Sequence, residues 1–387
     1  MRLSRLGVVG FRNLRDATMA VPLEGVAILG ANAQGKTNLL EAIHYLEIFR
    51  SFRGVPDRQL VRFGEEGFRV SADLAPETPT GGEEEGTHDH GEAAKDSVAV
   101  VFRRDGGSKR VTLGGQPVER LADAIGSVGS VLFTPDDVRL VSDGPAERRR
   151  YLDILLSLNV SGYLDALQRF RHGLSQRNSA LREGRPEREV RIWDEAIIGP
   201  GAQVMWTRAV WIRDRAQAFR SYYREISGGE SARIHYAPGI SGTAEWADRS
   251  AAAEDFRRSL RRTADRERST GATVVGPQRD ELRFFAESPH RSRDVRAYGS
   301  GGERRTAALA LRLLEADTVR VGRGTEPILL LDDVFGELDE GRAGRVLELL
   351  ERSVPGQVLI TAPRESDLRL RREVLPRWFL RDGEVTV

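Results

Sequence analysis

The chain has 387 residues, of which 59 are basic, 58 are acidic and 40% are hydrophobic, and it contains no cysteine. This composition is typical of a folded protein of two or three domains, and it excludes a disulfide framework, thiol catalysis and cysteine-based zinc sites. The formal net charge of +1 excludes a general attraction to polyanions, so a nucleic acid would have to be held by local patches.

The N-terminal part of the chain carries a phosphate-binding motif. Apolar and polar residues alternate over the first 30 residues and predict short strands, while residues 38–50 have the apolar period of a helix. Between them, "GANAQGKT" fits G-x-x-x-x-G-K-[ST]. We expect the loop to hold a nucleotide, with the Lys36 ammonium at the phosphates and the Thr37 hydroxyl at Mg²⁺. The predicted nucleotide-binding residues are Gly30, Ala31, Asn32, Ala33, Gln34, Gly35, Lys36, Thr37 and Asn38.

The middle of the chain changes character twice. Residues 76–97 are acidic, rich in glycine and poor in large apolar side chains, so we expect a disordered loop insertion in which His88 and His90 bind no metal. Strand patterns follow at 98–103, 111–118 and 128–133, and the pattern from 137 to 265 is mainly helical. We therefore predict an α/β domain formed by 1–130 and 300–387, with a mainly helical domain, 131–299, inserted between its halves.

The apolar run "ILLLDD" predicts a buried strand that ends in two carboxylates. We expect this strand to neighbour the one that precedes the phosphate loop, with Asp332 holding Mg²⁺ and Asp333 polarising the attacking water. Lys36 and Asp332 are about 300 residues apart, too far for one βαβ unit. A large insertion must therefore separate them in sequence and leave them adjacent in space.

A second anion site is predicted before the helix at 303–318, where "SGGE" places a hydroxyl and two unhindered amides. Alone, the motif could be an N-cap serine followed by a flexible turn. Together with the distant phosphate loop and "DDVFGELD", it resembles the signature motif of ABC-type ATPases, which closes on a nucleotide bound by a second subunit. "GELD" resembles the D-loop of the same class.

Nearly the whole chain resembles the RecF family, whose ABC-type ATPase heads are related to those of SMC proteins. The matching segments are "GFRNLRDA", "GANAQGKTNLLEAIHYL", "SFRG", "FTPDDVRLVSDGPAERRRYLDILLS", "LSQRNSALRE", "GPQRDELRF" and "LLLDDVFGELDEGR". The resemblance implies an α/β head with a mixed sheet and an inserted helical lobe. It also implies binding of ATP and Mg²⁺, ATP-dependent homodimerisation on double-stranded and gapped DNA at single-strand/double-strand junctions, and loading of RecA together with RecO and RecR.

The resemblance assigns roles residue by residue. Lys36 and Thr37 match the Walker A motif, and Asp332 and Asp333 the Walker B pair. By the same resemblance, Lys36 and Asp333 are catalytic, Thr37 and Asp332 are the metal ligands, and the remaining nucleotide contacts are Arg53 of "SFRG", Ser300, Gly301, Gly302, Glu303 of the signature motif, and Asp339 of the D-loop.

Three positions depart from the family pattern. Gln278 stands where the family usually has a histidine, and "FTPDD" occupies the place of the Q-loop glutamine. No switch histidine follows the predicted strand "QVLIT", where Thr361 is the candidate substitute.

Two clusters of arginine are candidate DNA contacts: Arg148, Arg149 and Arg150, and Arg257, Arg258, Arg261 and Arg262. The alternative is that these side chains form a solvated helix face or intramolecular ion pairs.

Two other functions compete with an ATPase that acts on DNA. A transporter cassette would need a shorter interval between its phosphate motifs and a membrane partner. A DNA clamp would use ATP mainly as an assembly ligand, and slow hydrolysis would then release it. Because no 18-residue apolar run and no secretory signal is present, we expect a cytoplasmic protein.

Overall fold

We describe the protein from a computed structural model that covers residues 1–76, 96–288, 291–336, 338–353, 356–365, 368 and 375–387. The chain divides into unit 1, formed by Met1–Pro135 and Glu315–Val387, and unit 2, formed by Asp136–Leu314. The sequence placed these boundaries at 130/131 and 299/300. Most of the predicted loop at 76–97, including His88 and His90, lies outside the described residues.

The strands and helices are numbered in chain order. The strands are β1 (Arg2–Val9), β2 (Ala17–Ala20), β3 (Gly25–Leu29), β4 (Gly67–Ala75), β5 (Ser97–Arg103), β6 (Lys109–Leu113), β7 (Gln116–Pro117), β8 (Ser130–Phe133), β9 (Ser231–Ala237), β10 (Glu281–Ser288), β11 (Arg291–Asp294), β12 (Ile328–Asp332), β13 (Val358–Ala362), β14 (Arg377–Arg381) and β15 (Glu384–Thr386). The α-helices are α1 (Lys36–Ile48), α2 (Leu121–Ala124), α3 (Arg139–Ser142), α4 (Pro145–Asn159), α5 (Tyr163–Arg182), α6 (Glu187–Ser227), α7 (Arg249–Thr270), α8 (Val295–Tyr298), α9 (Gly301–Arg323) and α10 (Glu340–Ser353).

Unit 1 contains two six-stranded sheets. The first is antiparallel, with the order β2-β1-β4-β5-β6-β7. The second has the order β15-β14-β3-β13-β12-β8 and is parallel except for β15. Every residue of β3, β12 and β13 is buried, which explains why these strands read as continuous apolar runs.

Helix α1 joins the cores of the two sheets. Its apolar residues Leu39, Leu40, Ile43 and Leu46 are at most 1% exposed, and the helix contacts β4 and β5 of the antiparallel sheet as well as β8, β12 and β13 of the other. The helix is therefore buried on more than one face, and its N-terminus is held rigidly at the end of β3.

Unit 2 is mainly helical and also contains a small antiparallel sheet with the order β11-β10-β9. The sequence indicated a mainly helical pattern from 137 to 265 and did not mark β9, which follows the 41-residue helix α6. Ala232, Ile234 and Tyr236 alternate with less buried residues along β9, so its inner face packs as strand. None of the helices within the described ranges is both long and apolar enough to cross a bilayer.

A buried ion network ties α6 to the rest of unit 2. Arg208 is 2% exposed, and its guanidinium donates to Asp153 at 2.6 Å, to Asp280 at 2.5 Å and to the Tyr163 hydroxyl at 3.0 Å. Burial acts to lower the pKa of Arg208, but Tyr163, Asp280 and Asp153 hold it well above its ordinary value. The arginine is therefore charged and is a cation shared by both carboxylates, with Arg171 as a second partner of Asp153 at 2.9 Å.

Replacing Arg208 with Ala should destabilise unit 2 by about 3–5 kcal/mol, because it leaves two buried carboxylates without their shared cation. Tryptophan fluorescence during urea unfolding reports this, since Trp193, Trp206, Trp211 and Trp246 all lie in unit 2. The matched control is Arg213→Ala on the same helix, where the side chain is 65% exposed and its loss should cost far less. Equal unfolding midpoints for the two variants would contradict this account of the network.

Candidate nucleotide site

The loop between β3 and α1 has the backbone conformation of a phosphate cradle. Gly35 has φ +115° and Ala33 has φ +66°, so the chain reverses tightly before the helix begins. At Gly30 a Cβ atom would lie 2.4 Å from the Leu380 carbonyl oxygen, which only glycine avoids. The loop is thus shaped by local backbone constraints and by the strand β14 beside it.

The N-terminus of α1 is available to an anion. Gly35 occupies the N-cap without a side-chain hydrogen bond, and the first turn has no acidic residue, so its amide groups point outward unpaired by any cap. Lys36 is 7% exposed and its Nζ donates to the carbonyl oxygens of Gly30 at 2.5 Å and Ala31 at 3.0 Å. Burial lowers the pKa of Lys36, against the attraction of Asp333 and Asp332. A bound anion would offset that burial.

Asp332 lies at the end of β12 beside the phosphate loop. Its Oδ1 accepts a hydrogen bond from the Thr37 hydroxyl at 3.0 Å and another from the Thr361 hydroxyl at 2.9 Å. Burial raises the pKa of Asp332, and these two hydrogen bonds act to lower it. The structure therefore brings together the two predicted metal ligands, Thr37 and Asp332, although they are far apart in sequence.

The expected adjacency of the two motif strands was wrong, because β13 lies between β3 and β12. Thr361 on β13 pairs in register with Asp332 on one side and Ile28 on the other, and its side chain hydrogen-bonds to Asp332. The sequence had offered Thr361 only as a substitute for a switch histidine. The signal for its position was a hydroxyl at the C-terminal end of a fully apolar strand.

Asp333 turns the chain out of the sheet. Its φ of +48° lies in the left-handed region, and its backbone N–H donates to the Thr361 hydroxyl at 3.0 Å. The Thr361 hydroxyl therefore donates to one carboxylate of the pair and accepts from the backbone of the other. Both predicted Walker B residues are fixed by one side chain.

Arg53 lies beside the first turns of α1. Its guanidinium donates to the Asn38 side chain at 3.1 Å and lies 3.7 Å from the Glu41 carboxylate. Glu41 is fully buried, and it also accepts from Arg12 at 2.9 Å and from the Ser51 hydroxyl at 2.5 Å. Arg53 is thus held near the phosphate loop by a carboxylate that the sequence did not single out.

The residues present fit ATP and Mg²⁺. Mg²⁺ prefers oxygen ligands and is commonly held by one or two carboxylates together with substrate phosphates, which matches the Thr37 hydroxyl and the Asp332 carboxylate. The described residues contain no cluster of three or more His, Cys, Asp or Glu side chains able to hold a metal alone. The donor set therefore suits a metal that arrives with phosphate.

The second predicted anion site is a capped helix start in unit 2. The Ser300 hydroxyl accepts from the Glu303 backbone N–H at 3.2 Å, and the Ser300 N–H donates to the Glu303 carboxylate at 2.7 Å. This reciprocal pair is a capping box, and Arg293 also pairs with Glu303. Nothing lies within 4 Å of the Cβ position of Gly301, so Gly301 borders open space. Asp339 similarly accepts from the Arg342 N–H at 2.9 Å, at the start of α10.

The arginines proposed to contact DNA differ in their surroundings. Arg148 is 1% exposed and donates to Glu281 and to the backbone carbonyls of Leu140, Val141 and Asp143. Its guanidinium is thus engaged inside the unit, which favours the alternative of an intramolecular ion pair over a contact with DNA.

The remaining arginines of the two clusters lie nearer the surface. Arg149 is half-buried and Arg150 is exposed. Arg257 is paired with Glu195 and Glu254, and Arg258 with Asp255. Arg261 and Arg262 are exposed and form no ion pair with any carboxylate in the described ranges.

The chain matches a known family over most of its length. The model described as the RecF/RecN/SMC N terminal domain matches residues 2–384. The DNA replication and repair protein RecF of Chloroflexus aggregans is 36% identical over 409 residues, which cover 100% of this chain and 99% of the relative.

Two solved structures resemble the fold. A structure of "the recombination mediator protein RecF-ATP in RecFOR pathway" superposes with a TM-score of 0.84 at 30% identity, covering 100% of this chain and 97% of the other. An SMC head bound to the C-winged helix domain of ScpA gives a TM-score of 0.56 at 15% identity, with 100% and 96% covered, and this likeness concerns the fold alone. The predicted fold class, an ABC-type ATPase head with a mixed sheet, is confirmed.

Replacing Thr361 with Val should destabilise the protein more at pH 7 than near pH 4. Because burial raises the pKa of Asp332, stability falls as the pH rises from about 3.9, the unfolded value, through the raised folded pKa. Loss of the Thr361 donor raises the folded-state pKa of Asp332 further. The free energy of unfolding should therefore fall by about 1–3 kcal/mol where the Asp332 carboxylate is ionised, and by less where it is protonated.

The measurement is urea unfolding at the two pH values. The control is Thr306→Val, since the buried Thr306 hydroxyl donates to the Gly302 carbonyl and to no carboxylate. If Thr361→Val lowers the free energy of unfolding by the same amount at both pH values, as expected for the control, the Thr361 hydroxyl does not stabilise the ionised form of Asp332.

Proposed function

The chain belongs to the RecF family, and on this premise we propose that it is an ATP-dependent DNA-binding protein of recombinational repair. The observation that carries the proposal is the contact of Thr37 and Thr361 with the buried Asp332 carboxylate, directly beside the open N-terminus of α1. The likeness to the RecF–ATP structure over the full chain supports the same conclusion.

Nucleotide binding is assigned to the loop Gly30–Asn38 and the end of β12. The amides at the start of α1 and the Lys36 ammonium receive the phosphates, and Thr37 and Asp332 hold Mg²⁺. When bound, Mg²⁺ neutralises phosphate charge. Arg53, held by Asn38 and Glu41, supplies a further cation near the same phosphates.

Hydrolysis is assigned to Asp333, which orients and polarises the attacking water. Its position rests on a left-handed backbone and on the hydrogen bond from its N–H to Thr361, so geometry rather than basicity is the main contribution. We propose a weak ATPase that DNA stimulates, with turnover serving release rather than work.

Assembly is assigned to the Ser300–Glu303 turn of a second copy, together with Asp339. A single nucleotide on one chain does not require two anion sites, and the turn borders open space at Gly301. When this turn closes on the nucleotide of a partner subunit, ATP is bound more tightly by the dimer than by the monomer. ATP binding therefore favours association by mass action.

The proposed setting is the cytoplasm, with double-stranded and gapped DNA, RecO and RecR as partners and the loading of RecA as the outcome. The names of the relatives, DNA replication and repair protein RecF, support this setting. The candidate DNA contacts that retain open donors are Arg149, Arg150, Arg261 and Arg262. The transporter alternative is not favoured, because the family match covers residues 2–384.

ATP should convert the protein from monomer to dimer in light scattering, and a gapped duplex should stabilise that dimer. Lys36→Ala should stay monomeric because it loses the phosphate cation, whereas Asp333→Asn should bind ATP and remain dimeric for longer because hydrolysis is slowed. Ser300→Arg should bind ATP without dimerising, and Ser292→Arg, an exposed position of unit 2, serves as its control. An Asp333→Asn protein that stays monomeric with saturating ATP would refute the assembly switch.

DNA affinity should depend more on Arg261 and Arg262 than on Arg257 and Arg258. All four lie on α7, but the latter two already pair with carboxylates. The double variant Arg261→Glu/Arg262→Glu should therefore weaken duplex binding. It should also make the affinity less dependent on salt concentration, by the amount expected for the loss of about one to two phosphate contacts. Arg257→Glu/Arg258→Glu is the charge-matched comparison in fluorescence anisotropy, and an equal or larger effect there would remove the Arg261/Arg262 patch.

A further inference from the structure

Unit 2 contains a cavity of about 260 Å³ bounded by α4, α5 and the segment that precedes β10. Four of its lining residues are arginines and one is a carboxylate. Arg150 and Arg171 are exposed, Arg149 is half-buried, and Arg208 and Asp153 are buried. The cavity therefore opens to solvent on a cationic side and closes on the ion network of Arg208.

The cations near the opening are only partly neutralised by their surroundings. Arg149 donates from Nη1 to the Asp280 carbonyl at 2.9 Å and forms no ion pair with a carboxylate among the residues that the structure describes. Burial and the neighbouring Arg208 lower the pKa of Arg149, against the attraction of Asp280 and Glu281. Arg171 donates from Nη2 to Asp153 at 2.9 Å, a carboxylate that Arg208 also engages. An anion at this opening would add a partner for Arg149 and for the exposed Arg150.

Part of the cavity lining is apolar. It is formed by Leu167, Phe170 and Leu174 of α5 and by Pro277. A wall of this kind excludes water and suits a flat uncharged group. An inorganic anion alone would have no use for it.

We propose that this cavity binds one nucleotide of a DNA single strand, with the base against Leu167, Phe170 and Leu174 and the phosphate on Arg149, Arg150 and Arg171. The volume lies just below the roughly 300–1,000 Å³ of sites for drug-sized ligands, so it suits a base rather than a whole nucleoside triphosphate. A base enters such a pocket readily only where it is unpaired.

This assignment rests on the proposed function, because it gives a DNA-binding protein a means of distinguishing a gap from continuous duplex. The same chemistry could be supplied by a free nucleoside monophosphate. The strand is favoured because Arg150 and Arg171 extend into solvent at the opening, where a neighbouring phosphate of a chain would pass.

The test compares two variants of the full-length protein with wild type in the presence of ATP. Leu174→Trp fills the cavity and Leu174→Gln makes part of its apolar lining polar, and neither changes the charge. Fluorescence anisotropy is measured with a gapped duplex and with a continuous duplex of equal length. We expect each variant to bind the gapped duplex about tenfold more weakly than wild type, the scale of one stacked base, with unchanged affinity for the continuous duplex.

The control is Arg213→Gln, an exposed position outside the cavity whose guanidinium already pairs with Asp214, and it should leave the affinity for both duplexes unchanged. Unchanged affinity of both cavity variants for the gapped duplex would overturn the inference, while failure of wild type to bind either duplex would instead refute the proposed function. Deoxythymidine monophosphate alone gives the last arm. Wild-type binding of it that is lost in both variants, without any effect of the variants on gapped DNA, would replace the strand with the free nucleotide as ligand.

Discussion

The placement of one buried carboxylate, Asp332, governs the organisation of unit 1. A buried carboxylate needs donors close at hand, and here they come from Thr37, at the start of α1, and from Thr361, on the strand between β3 and β12. The strand order of the parallel sheet, the rigid entry into α1 and the left-handed turn at Asp333 all follow from keeping these groups together. The long interval between the two halves of the site is accommodated because both halves are strands of one sheet.

The sequence predicted those parts of the site that have a local signature. The phosphate loop needs glycine where a Cβ would meet Leu380 or where φ is positive, and these glycines can be recognised in the sequence motif. The order of parallel strands is not visible, because β3, β12 and β13 are equally apolar and nothing local states which of them lies in the middle. Thr361 was therefore underestimated, although its position at a strand end was clear. Strand β9 was missed because its alternation covers only seven residues after a long helix.

The basic residues also show which roles the sequence can predict and which it cannot. In a chain with only three lysines, two of them lie where a slender ammonium is required. Lys36 reaches two loop carbonyls, and Lys109 reaches Asp57 at 2.6 Å and the Phe49 carbonyl at 2.7 Å, where α1 ends with a positive φ. The arginines cannot be sorted by sequence in this way, since Arg148 and Arg150 are two positions apart and one is caged while the other is exposed. Burial, which depends on distant segments, decides which of them can meet a phosphate.

The capping box at Ser300 bears on how a second copy would complete the site. The Ser300 oxygen already accepts from the Glu303 N–H, but its own proton is still available to donate, and Gly301 leaves space for an approaching phosphate. The turn can therefore be fully formed in the monomer and bind without rearrangement, which lowers the entropic cost of closing the dimer. In the proposed assembly, ATP therefore selects the dimer mainly by supplying the anion between two preformed surfaces, and hydrolysis need only weaken the binding of that anion to release them.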